Sequence, residues 1–488
     1  MSLRPAGPYL GHLSNRENEY GTQHILVQDN DGRLRHAPFA RYQQTFPAEL
    51  LAEIFLHLLD TASFSTPCHV CHRWREVALS TPRLWSNLDI DLCAARTSKS
   101  YVDFQHIWLG RARDAPLSIS LVDDWEWAEY FPVFGKPEPD ASAISLMQAI
   151  GRTSRRWQKI TIDFKDRILM EALFSTADRD FPLLEQMSLD SVVDPTTPGA
   201  VDSNAPLPVS FVNAPKLYDI TTFKYREMLA PWTQITTFWS FSISVRSVYD
   251  VLGSATRLVY GFFILTGDGE ALDTAPCTLE CVHLQSLSFV MLREWDPESI
   301  IGPKAQTILP NLKAPALRNL SLRFHPSSGL IHNTSPLLHF LSQSSLRLRS
   351  LELSCFPTKP ENLYESLKAA PSLVHLELFP FRFGDLDLLF KQLTGDTRFL
   401  PKLESIRIYF TSNTGRHAVN ESDLARMLSW RWAAAGVAQL HCFHMHKSEY
   451  LSLVESSGLE HEEASSVFQR LRDDGMDLRL ETQDSVSE

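Results

Sequence analysis

A short segment of the form Pro-x-Leu-x-x-Leu-x-Leu recurs from residue 181 onward and constrains the fold more than any other feature of the chain. The clear copies are Pro315–Leu322, Pro371–Leu378 and Pro401–Ile408, together with Arg347–Leu353, which has the same core without the proline. The weaker copies are Pro182–Leu189, Pro215–Thr222 and Glu280–Phe289. Alternating leucines in so short a segment predict one half-buried β-strand per copy.

The second leucine position of each copy defines a series of anchor residues: Met187, Ile220, Leu287, Leu320, Leu351, Leu376 and Ile406. The last four are 31, 25 and 30 residues apart, which leaves room for one strand and one returning helix per unit. Further strands around Phe238 and Gly261 would bridge the gap between Ile220 and Leu287. The pattern resembles a divergent leucine-rich repeat, which implies an α/β solenoid of parallel strands plus helices. A plain α/β domain with several parallel strands is the alternative.

The surrounding segments complete the predicted organisation. A helix ending at 107–111, a strand at 115–121 and a strand at 159–163 precede the repeats. We predict a flexible N-terminal arm at 1–44, a helical module at 45–92, the repeat-like domain at 93–472 and a polar C-terminal tail at 473–488. Within the repeat domain, residues 122–141 and 191–209 have the composition of loops.

Two amphipathic segments predict the helical module. Leucine, isoleucine and phenylalanine recur with helical periodicity after Pro47, and a second apolar stripe follows Pro67. The residues on these faces are Leu50, Leu51, Ile54, Phe55, Leu58 and Leu59, then Val70, Cys71, Trp74, Val77 and Ala78. Leu84 and Trp85 follow directly and should fold back on the helices. A unit of this size buries little surface, so it should rest on a partner or on the next domain.

Three blocks of this module carry a family resemblance: 46–55 (FPAELLAEIF), 70–78 (VCHRWREVA) and 82–85 (PRLW). In this order and spacing they resemble an F-box of the fungal type, with Phe46 in place of the usual leucine. The resemblance implies three helices that bind a Skp-type adaptor of cullin-RING ubiquitin ligases. The adaptor-binding residues it implies are Pro47, Leu50, Leu51, Ile54, Phe55, Leu58, Val70, Cys71, Trp74, Leu84 and Trp85.

The outward neighbours of the anchors are predicted to line the exposed face of the sheet, because successive side chains of a strand point to opposite sides. Towards the C-terminal end they are Arg323, Glu352, His375, Glu377, Phe379, Arg407, Tyr409 and His444. Charged and aromatic side chains together suit a surface that binds a protein target. An ordinary solvated face is the alternative.

Bulk properties exclude several classes of function. A net charge of -12 over 488 residues argues against nucleic acid as a partner. Residues 1–30 contain no continuous apolar segment, and no apolar run reaches the roughly 18–20 residues of a membrane span. We therefore expect no membrane association. The expected location is the cytoplasm, the nucleus or both. Seven cysteines indicate reduced thiols rather than a disulfide framework. No catalytic or cofactor-binding motif is present, which predicts a non-enzyme without cofactors.

Two histidine- and cysteine-rich segments raise the question of a metal. Residues 68–72 match C-x-x-C-H, but they lack the second ligand pair of a structural zinc site. If 440–446 is a strand, Cys442, His444 and His446 share one face, yet no carboxylate or fourth ligand is identifiable from the sequence. The sequence therefore predicts no metal site at either place.

The resulting functional prediction is a substrate-recognition subunit of an SCF-type cullin-RING ubiquitin ligase. Its partners would be the Skp-type adaptor, the cullin and RING subunits reached through it, and an unidentified protein target. The alternatives are an F-box scaffold without a ligase role and, less favoured, an enzyme with a dispersed catalytic site.

Overall fold

The structure, a computed structural model, divides into two compact units, Met1–Leu84 and Trp85–Glu488. The residues it describes are 26–28, 34–36, 46–58, 66–123, 139–164, 166–177, 180–189, 210–223, 225, 229–266, 278–291, 308–323, 335–344, 347–354, 360–379, 384–409, 420–447 and 458–482. The predicted loop at 191–209 and most of the loop at 122–141, residues 124–138, lie outside them. Across these residues, no helix combines the length and the apolar character needed to cross a membrane.

Among its described residues, the first unit contains three helices and a short strand pair. Helices α1 (Ala48–Leu58), α2 (Thr66–Val70) and α3 (His72–Ser80) lead into a 3-10 turn at Pro82–Trp85. Strands β1 (Leu26–Gln28) and β2 (Leu34–His36) pair in antiparallel fashion inside the segment predicted to be a flexible arm.

Cys71 separates α2 from α3, where the sequence predicted one continuous helix. Its backbone is extended (φ -158°, ψ 169°), and its Sγ accepts a hydrogen bond from the backbone N–H of Trp74 at 3.5 Å. Cys71 is therefore the N-cap of α3 and not a residue of a helix interior. Cysteine is an unusual N-cap because a thiol is a weak acceptor. The apolar periodicity also continues across Cys71, so the sequence pattern does not indicate the break between the two helices.

Within the part of the second unit that the structure describes, one sheet of 14 parallel strands follows the order of the chain. Its strands are β3 (Asn87–Asp91), β4 (Leu117–Val122), β5 (Trp157–Asp163), β6 (Gln186–Leu189), β7 (Asp219–Thr222), β8 (Thr237–Ile243), β9 (Tyr260–Leu265), β11 (Ser286–Met291), β13 (Asn319–Arg323), β14 (Ser350–Ser354), β15 (His375–Phe379), β16 (Ser405–Tyr409), β17 (Cys442–Lys447) and β18 (Asp477–Thr482). A separate parallel pair joins β10 (Leu279–Glu280) to β12 (Leu312–Lys313).

Ten helices belong to this unit among its described residues: α4 (Leu92–Thr97), α5 (Lys99–Arg111), α6 (Ala141–Gly151), α7 (Arg167–Ser175), α8 (Val245–Ser254), α9 (Ser335–Ser344), α10 (Pro360–Lys368), α11 (Gly384–Leu393), α12 (Glu421–Ala433) and α13 (Gly458–Asp473). Parallel neighbours are joined by crossovers, and these are almost always right-handed. Because the strands are added in one direction, right-handed crossovers all lie on the same side. We call the opposite side of the sheet the open face.

The predicted anchors form one continuous row across the sheet. Met187 pairs with Ile220, and Leu287, Leu320, Leu351, Leu376 and Ile406 follow as cross-strand partners in that order. Phe238 and Gly261 complete the row between Ile220 and Leu287, as predicted. The anchor side chains are buried on the helix side, so the repeat periodicity correctly predicted both the strands and their register.

Gly261 leaves a gap in this row that its own strand fills. The next inward residue, Phe263, leans towards it, so that a Cβ at residue 261 would lie 2.9 Å from the Cε2 atom of that ring. Phe263 also contacts Phe238 and Phe289, with ring centroids 5.8 and 5.5 Å apart. The aromatic core of the central strands thus depends on the absence of a side chain at residue 261.

A buried arginine holds together the turn after α11. Arg431 of α12 donates to the backbone carbonyls of Leu393, Leu400 and Phe399 at 3.1, 3.0 and 2.5 Å. Leu400 has a positive φ of 47°, which is uncommon for a leucine. Burial lowers the pKa of Arg431 to about 10. The cost of burying this guanidinium is offset by its hydrogen bonds to three carbonyls that are otherwise shielded from water.

Both sequence-predicted boundaries of the repeat domain are displaced. Strand β3 lies inside the predicted helical module at 45–92, and β18 lies inside the predicted tail at 473–488. Leu478 in β18 is buried and pairs with Phe443, which extends the anchor row to the last strand. Because the residues around Leu478 are polar, the sequence pattern does not indicate a strand there. Its pairing with β17 identifies it.

Candidate functional site

The apolar face of α1 divides into a buried row and an exposed row. Leu51 and Phe55 are 4% and 1% exposed, and the ring of Phe55 lies 5.0 Å from that of Trp74. Leu50 and Ile54, one residue earlier in each case, are 51% and 41% exposed. Leu58 continues the exposed row. We call Leu50, Ile54 and Leu58 the exposed stripe.

The remaining predicted adaptor-binding residues fall on both sides of this division. Val70 and Pro47 are exposed, whereas Leu84 is buried and Trp74 and Cys71 are half-buried. Trp74 packs on Phe55, and Cys71 caps a helix, so these two residues have structural roles within the module.

Trp85 lies in the core of the second unit. It is 3% exposed, its ring centroid lies 5.3 Å from that of Trp108, and the Arg111 guanidinium lies 4.6 Å from the centroid of its ring. Its carbonyl accepts a hydrogen bond from Trp108 Nε1 at 2.9 Å. These contacts leave Trp85 almost no surface for a partner and give it a structural role in the second unit.

Polar contacts fix the helices of the first unit around the exposed stripe. Arg73 donates to the carbonyl of Phe46 at 2.5 Å, and Arg75 donates to the carbonyl of Cys68 at 2.7 Å. Arg83 pairs with Glu53 of α1 at 3.1 Å. The Arg83–Glu53 ion pair is exposed and contributes little stability. Together, these contacts hold α1 in its orientation against the other helices.

Three rows of the open face contain the residues predicted to bind a target. Glu352, Glu377, Arg407 and His444 are successive cross-strand partners in one row. A second row contains Arg323, Phe379 and Tyr409, and His375 lies in a third. The structure therefore brings seven of the eight into two adjacent rows.

Electrostatic interactions couple the charged members of these rows. Arg323 forms a bidentate ion pair with Glu352. Burial raises the pKa of Glu377, the neighbouring charge of Glu352 raises it further, and the attraction of Arg407 and Arg323 only partly offsets both. Glu377 is thus a carboxylate whose negative charge is disfavoured in the folded chain.

Aromatic rings extend the second row. Tyr409 stacks between Phe379 and His446, with ring centroids 4.6 and 4.7 Å away. Burial raises the pKa of Tyr409, and the charge of Glu377 adds to the effect. Flat rings and charged groups side by side are typical of surfaces that bind proteins.

His444 departs from the prediction because it is only 9% exposed. Strand β18 lies beside it, and His444 Nε2 is 2.7 Å from Asp477 Oδ2. Burial alone would raise the pKa of Asp477, but hydrogen bonds and charges from Arg479 and His444 lower it below its ordinary value. The sequence placed Asp477 in the polar C-terminal tail, so this partner was missed.

A group of aromatic side chains on the open face of β7 to β9 was also missed. We call it the aromatic patch: Phe223, Trp239, Phe241, Tyr260 and Phe262. Trp239 lies 4.8 Å from Tyr260 and 5.0 Å from Phe262 between ring centroids. Phe223 and Phe241 are exposed. The alternating pattern of 237–243 (TFWSFSI) contains this signal, since the outward positions follow directly from the inward Phe238.

Comparison with known proteins identifies the first unit. The model of the F-box-like family matches residues 44–91. This range extends into β3, which belongs to the sheet of the second unit. The chain therefore contains an F-box-like domain, followed by a leucine-rich-repeat-like domain of parallel strands and helices, as the sequence predicted.

Solved structures provide two further comparisons. A chain of the Rad7 and Elc1 complex from yeast is 12% identical, with a TM-score of 0.35, and the match covers 77% of this chain and 92% of that one. The leucine-rich repeat-containing protein LegL7 from Legionella pneumophila is 11% identical, with a TM-score of 0.31 and coverage of 78% and 97%. No curated protein sequence matched the chain.

Proposed function

We propose that this protein is the substrate-recognition subunit of an SCF-type cullin-RING ubiquitin ligase. The observation that carries the proposal is the exposed stripe on the F-box-like domain. Leu50, Ile54 and Leu58 are large apolar side chains in line on a helix whose neighbouring face already forms the core. A contiguous exposed apolar row on a small module is typical of a protein interface. A Skp-type adaptor is the partner that the F-box resemblance implies.

The open face of the repeat domain supplies the second binding surface in this proposal. Its charged row and its aromatic patch offer directional ion pairs and flat apolar contacts to a protein target. The protein itself would catalyse nothing. By binding adaptor and target at once, it would raise the effective concentration of the target near a ubiquitin-charged enzyme. Such a subunit acts in the cytoplasm or the nucleus.

Affinity capture with the full-length chain tests the proposal. Wild type is compared with a Leu50→Asp, Ile54→Asp variant, which places two charges on the exposed stripe. We expect adaptor, cullin and RING subunits to be recovered with wild type alone, and the target to be recovered with both chains. The target should also be more abundant and carry less ubiquitin in cells that express the variant.

Glu49→Gln is the matched control, because residue 49 lies about 140° around α1 from Ile54 at about 100° per residue. It should bind the adaptor like wild type. Adaptor binding without any cullin would favour the scaffold alternative, and equal adaptor recovery by the double variant would contradict the assigned surface.

A further inference from the structure

Three potential metal ligands meet on the open face at the last two strands. Cys442 of β17 is the direct cross-strand partner of Asp477 of β18, and His444 lies two residues further along β17 on the same face. One donor atom from each residue lies within 4.8 Å of the other two. In the portion of the chain that the structure describes, this is the one such group of three. From this arrangement we propose a binding site for a zinc-like divalent transition metal.

The donor types select the metal. Thiolate and imidazole ligands favour Zn²⁺ and its substitute Co²⁺, whereas Mg²⁺ and Ca²⁺ prefer oxygen alone. Zinc bonds of about 2.0–2.3 Å in a tetrahedron place the donors roughly 3.3–3.7 Å apart. The donors lie at most 4.8 Å apart, so the widest pair needs to close by about 1–1.5 Å. His444 Nε2 and Asp477 Oδ2, 2.7 Å apart, need to separate by about 0.6 Å as both turn from each other towards the metal.

The surroundings orient and shield the donors. Asp477 Oδ1 accepts a hydrogen bond from Arg479 Nε at 2.9 Å, which leaves Oδ2 directed at His444, 2.7 Å away. Such outer contacts to ligating groups strengthen metal binding by holding the ligands in place. His444 is buried and Cys442 is half-buried, whereas Asp477 is exposed and offers the route of entry.

The charge balance and the number of ligands define what the site can do. A thiolate and a carboxylate neutralise a divalent cation, and Arg479 remains as one positive charge beside it. Three protein ligands leave a fourth position for water or for a donor from a bound protein. The metal would also tie β18 to β17 and so stabilise the final strand of the sheet. This site does not depend on the proposed ligase role.

A cobalt titration of the metal-stripped full-length chain tests the proposal. Wild type should bind about one equivalent of Co²⁺ with a thiolate-to-cobalt charge-transfer band, and Zn²⁺ should displace it. Cys442→Ser should abolish the band, and Asp477→Asn or His444→Ala should weaken zinc binding about 10- to 100-fold or more. Zn²⁺ should raise the melting temperature of wild type but not of Cys442→Ser.

Cys68→Ser is the matched control, because it removes a thiol of the C-x-x-C-H segment and should leave the band unchanged. Loss of the band in this variant, or its persistence in Cys442→Ser, would overturn the assignment. A second measurement needs no variant: Zn²⁺ should protect Cys442 of wild type from alkylation, as read by mass spectrometry. Equal alkylation with and without zinc would refute the site.

Discussion

Truncation of the exposed stripe should weaken adaptor binding without unfolding the chain. Full burial of a leucine or isoleucine side chain contributes about 1.5–3 kcal/mol. Leu50 and Ile54 are 51% and 41% exposed, so that fraction remains to be buried by a partner. The double variant Leu50→Ala, Ile54→Ala should therefore lose about 1.4–2.8 kcal/mol, which is a roughly 10- to 100-fold weaker dissociation constant.

Isothermal titration of purified adaptor into the full-length chain measures this loss, and circular dichroism checks folding. Leu51→Ala provides the contrast, because Leu51 is buried and its truncation should lower the stability of the module by about 2–5 kcal/mol. An affinity for the double variant within twofold of wild type would refute the division of α1 into a core row and a binding row. A double variant that unfolds like Leu51→Ala would refute it equally.

Three further predictions concern the repeat domain. The variant Glu377→Lys, Arg407→Glu, Tyr409→Ala exchanges two cross-strand charges and removes a stacked ring on the open face. It should fold normally and bind the adaptor, yet lose most of the targets recovered by affinity capture. An unchanged set of captured proteins would place the target elsewhere. Arg431→Met should lower the free energy of unfolding by about 1.5–6 kcal/mol in denaturant titration. Its three hydrogen bonds to carbonyls, at about 1.5–3 kcal/mol each, outweigh the roughly 3 kcal/mol cost of the buried charge; an unchanged midpoint would contradict this. Glu377→Gln should raise the melting temperature at pH 7, because a carboxyl group whose pKa is raised on folding destabilises the folded state above that pKa. The gain should disappear as the pH falls from the raised folded-state pKa to the unfolded value of about 4.3, below which the group is protonated in both states. A gain that persists at pH 3 would have another cause.

The strands and their register could be predicted from the sequence because local periodicity specifies them. A leucine two residues from the next one must share its face of a strand, and the proline and first leucine of each copy mark where that strand begins. The anchors from Met187 to Ile406 therefore form one row, as predicted. The F-box-like domain was recognisable for a similar reason, since its three blocks are short and close together in the chain.

Which apolar residues remain accessible depends on packing between distant segments. Leu50 and Leu51 are the same residue type at adjacent positions, and both lie on the predicted apolar face of α1. Contact with other helices buries Leu51 and leaves Leu50 half exposed. Trp85 likewise reads as part of the F-box blocks, but its ring packs on Trp108 in the repeat domain. The burial of each side chain depends on contacts with segments that are distant in the chain. Helical periodicity does not predict those contacts.

The candidate metal site shows the same limit most clearly. Cys442 and His444 could be assigned to one strand face from the sequence, because they are two residues apart. Asp477 is 35 residues further along, in a polar segment that has no strong strand pattern. It becomes the neighbour of Cys442 only because β18 pairs with β17 in one particular register. Local periodicity is enough to specify the repeating strands, whereas the pairing of those strands sets which of their side chains meet.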